Sequence, residues 1–114
     1  MKDIELARNV VEFLEEKKGE DILLLDLQGQ APIGSYYVIC SANSERGLGA
    51  LRDAVLDGLR ERNIAKPLLE GATVEGWLLA DFGSVVVHIF SSAQRDYYRL
   101  EDLWTEAKVL LHVQ

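Results

Sequence analysis

"WLLADFGSVVVHIF", Trp77 to Phe90, consists of two short apolar runs on either side of Phe82-Gly83-Ser84. Eleven of its fourteen residues are apolar or glycine; the exceptions are an acid (Asp81), a hydroxyl (Ser84) and an imidazole (His88). A tight, glycine-containing connection between two such runs predicts an antiparallel hairpin, Trp77–Asp81 paired with Val85–Phe90. Alternation puts Trp77, Leu79 and Asp81 on one side and Leu78, Ala80 and Phe82 on the other. Val85, Val87 and Ile89 likewise oppose Val86, His88 and Phe90. Both sides are rich in apolar groups, as expected of a sheet with helices on its faces.

The flanking sequence supplies those helices. Ile4, Ala7, Val11 and Leu14 recur at helical spacing over residues 3–18, and Gly19 is a natural stop. "DILLLDL" (21–27) and "YYVICSA" (36–42) read as strands separated by the turn-rich "QGQAPIGS" (28–35). Residues 44–62 place Leu48, Leu51, Val55 and Leu59 on one helical face, with Asn43 or Ser44 as cap. Gly47, Gly49 and Gly58 weaken that helix, so it needs a sheet to pack on. "PLLEGA" (67–72) reads as a short edge strand. After the hairpin, Ser91 and Gln94 have capping-box spacing, and Tyr97, Leu100, Leu103 and Trp104 form an apolar face. The expected fold is a single α/β domain, a mixed sheet of about five strands with three helices on its faces. Residues 105–114 are expected to extend the last helix.

At 114 residues the chain is long enough to bury a core without staples. One cysteine, Cys40, excludes an internal disulfide and any multi-cysteine metal site. No apolar run approaches the ~20 residues of a membrane span, and the charged first segment lacks the apolar block of a signal peptide. A cytoplasmic location with no membrane contact is the expectation. The net charge is −7, with 12 basic residues against 19 acidic ones. Basic residues group only in pairs such as Lys17-Lys18, which disfavours nucleic acid as the main direct contact. The acidity suits a basic protein partner, whose encounter it would speed, and equally serves solubility.

The hairpin's polar groups do not add up to a catalytic site. Ser84 and His88 lie four residues apart on one strand, about 13 Å, far beyond a hydrogen bond. Ser84 also lacks the G-x-S-x-G elbow. Gly34-Ser35 opens onto Tyr36-Tyr37-Val38-Ile39-Cys40, with none of the carboxylates that a two-metal transfer site needs. His88 and His112 are too isolated to hold a metal. Asp26 and Asp81 stand at strand ends, where such side chains commonly bond to the backbone. No catalytic residue, metal or other cofactor is therefore expected. A contact surface is the remaining functional reading. Trp77 and Phe82 bracket a strand, Phe90 sits at the other end of the hairpin, and aromatic groups at a rim are typical anchors. For Trp77, burial and contact stand side by side.

The residues Trp77, Asp81, Phe82, Gly83, His88, Arg95, Tyr98, Leu100-Glu101 and Leu103-Trp104 together resemble the C-terminal signature of the ribosomal silencing factor family, also called Iojap-like. Gly19, Asp21, Asp26 and Gly29 are similar to its first strand and turn; Cys40, Ser44 and Arg46 are similar to its second strand and helix opening. The resemblance covers residues 1–104. Ser35 and Ser84 stand where the family commonly has Asp. The resemblance implies a nucleotidyltransferase-like fold without that fold's catalytic residues. It implies binding to the fourteenth protein of the large ribosomal subunit, which hinders small-subunit joining and represses translation under nutrient limitation. It also implies a possible homodimer. Trp77 and Phe82 are the implied contact residues, with Asp81 and Phe90 beside them. The alternatives are a large-subunit assembly factor and a metal-dependent nucleotidyltransferase-like enzyme.

Overall fold

The computed structural model describes residues 1–30, 34–103 and 107–114. Helix α1 (Asp3–Glu16) leads into an antiparallel pair, β1 (Glu20–Asp26) and β2 (Tyr36–Ala42). Helix α2 (Glu45–Glu61) begins at Ser44, whose hydroxyl accepts the Gly47 N–H at 2.9 Å. Then come β3 (Leu68–Ala72), a single 3-10 turn at Thr73–Glu75, β4 (Trp77–Asp81) and β5 (Val85–Ser91). Helix α3 (Ser92–Tyr98), a second 3-10 turn at Leu100–Asp102 and β6 (Lys108–Val113) complete the chain.

The strands form one sheet in the order β3-β4-β5-β2-β1-β6. All neighbours are antiparallel except β2 and β5, which run parallel at the centre, with Tyr36 beside Val85 and Ala42 beside Ser91. Central strands buried on both faces read as unbroken apolar runs. Val85 to Phe90 are accordingly all buried.

The two faces are covered by different elements. On one, α1 and α2 lay Ala7, Val10, Phe13, Leu14, Leu48, Leu51 and Val55 over Ile22, Leu24, Val38, Cys40, Val87 and Ile89. The helices approach closely because residue 58 is glycine: a Cβ there would lie 2.5 Å from the Phe13 ring. The glycine that weakens α2 intrinsically thus permits its packing. On the other face, Leu23, Leu25, Tyr37, Ile39, Val86 and Phe90 are joined by half-buried Trp77, Leu79 and Leu100. Among the described residues the short α3, the turn after it and Ala107 pack there. Arg95, itself buried, holds that cover down by donating to the Glu101 carboxylate at 3.0 Å and the Asp21 carbonyl at 2.8 Å.

Two expectations need correction. The sheet has six strands, and residues 108–113 do not extend the last helix; they form β6 along β1, with Ile22 opposite Val113 and Asp26 opposite Lys108. A helix would have left β1 with an unpaired edge, which β6 satisfies. His112 hydrogen-bonds Asp21 at 2.8 Å across this pair, and that bond foremost holds the Asp21 carboxyl below its usual range. The last helix is also shorter than its apolar spacing implied. It ends at Tyr98 because Arg99 is left-handed (φ 47°). Tyr97 and Leu103 are therefore exposed, and Tyr98, exposed as well, lays its ring beside Trp77 and Phe90. Trp104, assigned to the same helical face, lies outside the described residues, as do residues 31–33 of the turn-rich segment.

Candidate functional site

Trp77 opens β4 on the face that carries α3. Register places it beside Phe90, Leu79 beside His88, and Asp81 beside Val86. These six side chains form a strip across the hairpin. The Trp77 ring lies 5.0 Å from Phe90 and 4.8 Å from Tyr98, centroid to centroid. Its Nε1–H donates to His88 Nδ1 at 3.2 Å. Trp77 is thus fixed on three sides yet remains half-exposed, an arrangement that preorganises an aromatic contact.

Desolvation pushes the His88 pKa down to about 4, so the ring is neutral at physiological pH. With Nδ1 accepting from Trp77, its proton sits on Nε2, which has no hydrogen-bond partner among the described residues. His88 therefore orients Trp77. Asp81 and Asp26 bond to the backbone, as expected of such side chains at strand ends. Asp81 Oδ1 accepts the Gly83 N–H at 2.7 Å and closes the turn. Asp26 Oδ1 does the same for Gln28 N–H at 3.1 Å. The Ser84 carbonyl accepts the N–H groups of Ser35 and Tyr36, stitching the hairpin turn to the start of β2. Cys40 is buried beneath the helices and its thiol is pushed up to about 12, chiefly by burial, so it is no nucleophile. Among the described residues no group of three or more His, Cys, Asp or Glu side chains is placed to hold a metal ion.

The four residues expected at a partner contact do not form one patch. Trp77 and Asp81 share the face that carries α3 but stand at opposite ends of β4. Phe82 is half-buried and packs against the cluster under α1 and α2, on the other side of the sheet. Phe90 is 0% exposed, lying under Trp77 and Tyr98, so it shapes the surface from beneath without reaching it.

Sequence reasoning missed what surrounds Trp77. Tyr98 and Gln94 from α3 and Glu70, Gly71 and Glu75 from the β3 side enclose, with Trp77 and Leu79, a cleft of about 310 Å³. The capping-box spacing correctly marked the start of α3: Ser91 Oγ accepts the Gln94 N–H at 3.2 Å. Gln94 does not close the box; its amide reaches the Glu75 carbonyl at 3.3 Å, which ties α3 to the 3-10 turn. The Arg-x-x-Tyr spacing was the available signal for Tyr98, since it sets Tyr98 one turn beyond the buried Arg95.

Comparison with known proteins places this arrangement. The family profile described as "Ribosomal silencing factor during starvation" matches residues 1–114. A protein named ribosomal silencing factor RsfS from Bacillus subtilis is 39% identical over 93 residues, 82% of this chain and 79% of its own. A mouse protein named mitochondrial assembly of ribosomal large subunit protein 1 is 31% identical over 99 residues, 84% of this chain and 43% of its own. The X-ray structure of a Chromobacterium violaceum protein superposes with a TM-score of 0.85 at 32% identity, covering 97% of this chain and 94% of that one. The chain belongs to the ribosomal silencing factor family.

Proposed function

We propose that this protein binds the large ribosomal subunit through the subunit's fourteenth protein and blocks joining of the small subunit by occupying its place. Translation is thereby repressed when nutrients are short. The observation that carries this reading is a partly exposed, preorganised Trp77 on the sheet face that carries α3, in a family member. Steric blocking asks only for occupancy, which agrees with a hairpin whose polar groups close turns and orient a ring. Trp77 is the anchor, Phe90 supports it, and Asp81 and Phe82 contribute at the turn end. The protein acts in the cytoplasm without catalysis, metal or cofactor. Its net charge of −7 favours encounter with a basic ribosomal protein. Both outer strands, β3 and β6, have an edge unpaired among the described residues, where a second copy can add.

Co-sedimentation with purified large subunits, small subunits and joined ribosomes tests this. Binding to large subunits alone, with loss of joining when small subunits are added afterwards, is the expected result. Equal binding to small subunits, or joining that proceeds unhindered on occupied large subunits, would overturn it. The name of the mouse relative favours a second reading, a large-subunit assembly factor. That reading expects stronger binding to immature than to mature large subunits in the same assay.

A further inference from the structure

We propose that the cleft between β3 and α3 receives a cationic side chain, an arginine or a lysine, of the docking partner. The inference rests on the reading that this face docks, and it adds the chemistry of what enters. The cleft's volume, about 310 Å³, is at the bottom of the ~300–1,000 Å³ range of small-molecule sites, a size for one side chain. Its apolar walls are Trp77, Leu79 and Tyr98, two of them aromatic rings held 4.8 Å apart. Aromatic faces attract a cation through their quadrupole, most strongly where water is partly excluded.

Two carboxylates complete the lining, Glu70 from β3 and Glu75 from the 3-10 turn. Neither forms an ion pair with any described residue. Arg52, which lines the cavity on the opposite, helix-covered side of β4 together with Glu70, is engaged by Asp53 at 3.3 Å. The histidine next to Trp77 is neutral, so no positive charge from it opposes an incoming cation. Gln94 is oriented by the Glu75 carbonyl. An apolar side chain would fit the rings but would leave two carboxylates desolvated without compensation, which penalises it. An anion would be repelled outright. A guanidinium or ammonium satisfies both the rings and the acids.

The test has two arms. In the first, N-acetyl-arginine amide, N-acetyl-lysine amide and the neutral, similarly shaped N-acetyl-norleucine amide are titrated into the free protein. The readout is the Trp77 indole N–H resonance, assigned with Trp77→Phe. The expected result is saturable binding of at least one cationic probe, weakened about tenfold by Glu70→Gln with Glu75→Gln, and far weaker binding of norleucine. Whether arginine or lysine binds better identifies the partner's residue. Norleucine binding as tightly as both cations, or an unchanged double variant, would overturn the proposal. In the second arm, the double variant, shown to be folded by its melting temperature, is sedimented with large subunits. Loss of about tenfold in affinity relative to the parent is expected. Parent and variant binding equally well would also overturn the proposal. If the parent itself does not bind large subunits, the functional reading fails, and the first arm still decides whether the cleft selects cations.

Discussion

Trp77 and His88 form a unit in which each sets the other's state. The indole N–H needs an unprotonated Nδ1, and the buried ring stays neutral down to about pH 4. Because the folded pKa lies below the usual 6.5, the unfolded chain takes up a proton first as pH falls. His88 stability is thus fully present above about pH 6.5 and is lost progressively toward pH 4. The loss should approach about 3 kcal/mol, the linkage value for a shift of this size. His88→Gln should flatten the pH dependence of denaturant midpoints across that window; a slope equal to the parent's would rule His88 out as its source. Trp77→Ala should lower stability by about 3 kcal/mol through lost packing on Phe90 and Tyr98. Its affinity for large subunits, corrected for folded fraction, should fall about thirtyfold, or ~2 kcal/mol. Phe82→Ala, at the turn end and packed on the other side of the sheet, should show the stability loss with a smaller fall in corrected affinity than Trp77→Ala. Equal corrected affinities for Trp77→Ala and the parent would remove Trp77 as an anchor.

At the scale of elements, periodicity and turn chemistry made most of the fold legible. β2 and β4 lie where alternation placed them, Ser44 caps α2, and the Gly83 turn closes the hairpin. Two elements were illegible for physical reasons. "KVLLHV" carries an apolar run compatible with strand or helix, and only the free edge of β1, distant in sequence, decides between them. The end of α3 depends on Arg99 adopting a left-handed conformation, which its residue type does not announce. The candidate site followed the same division. Trp77 was visible as a rim aromatic, whereas the cleft arises because α3, packed on β5 and β2, comes to stand opposite β3, and no local pattern encodes that. Gly71 matters to the β3 wall of the cleft: at φ +90° a Cβ would fall on the Trp77 carbonyl oxygen of β4. Gly71→Ala should therefore detach β3 from β4, visible as rapid amide exchange at Leu68–Ala72 with β1 and β2 still protected. Exchange unchanged from the parent would contradict this. Removing residues 107–114 should expose the β1 edge and cause concentration-dependent association. A truncated chain that stays monomeric at high concentration would show that β6 is not what guards that edge.

Across the whole molecule, charge and contact act at different stages of docking. Raising salt should slow association with large subunits while leaving dissociation nearly constant, because aromatic packing is not screened. An association rate indifferent to salt would remove steering from the account. The parallel pair at the centre of the sheet has a separate consequence, for how the chain comes to exist at all. β2 and β5 adjoin in space but lie roughly fifty positions apart in the chain, and such a long loop must close before their contacts repay it. As the polypeptide emerges from a translating ribosome, α1, β1, β2 and α2 appear first, with β2 waiting for its neighbour. Residues 85–91 must be synthesised before the sheet's two halves can zip together. Birth of this protein is therefore a race between elongation and self-association of an unfinished N-terminal half.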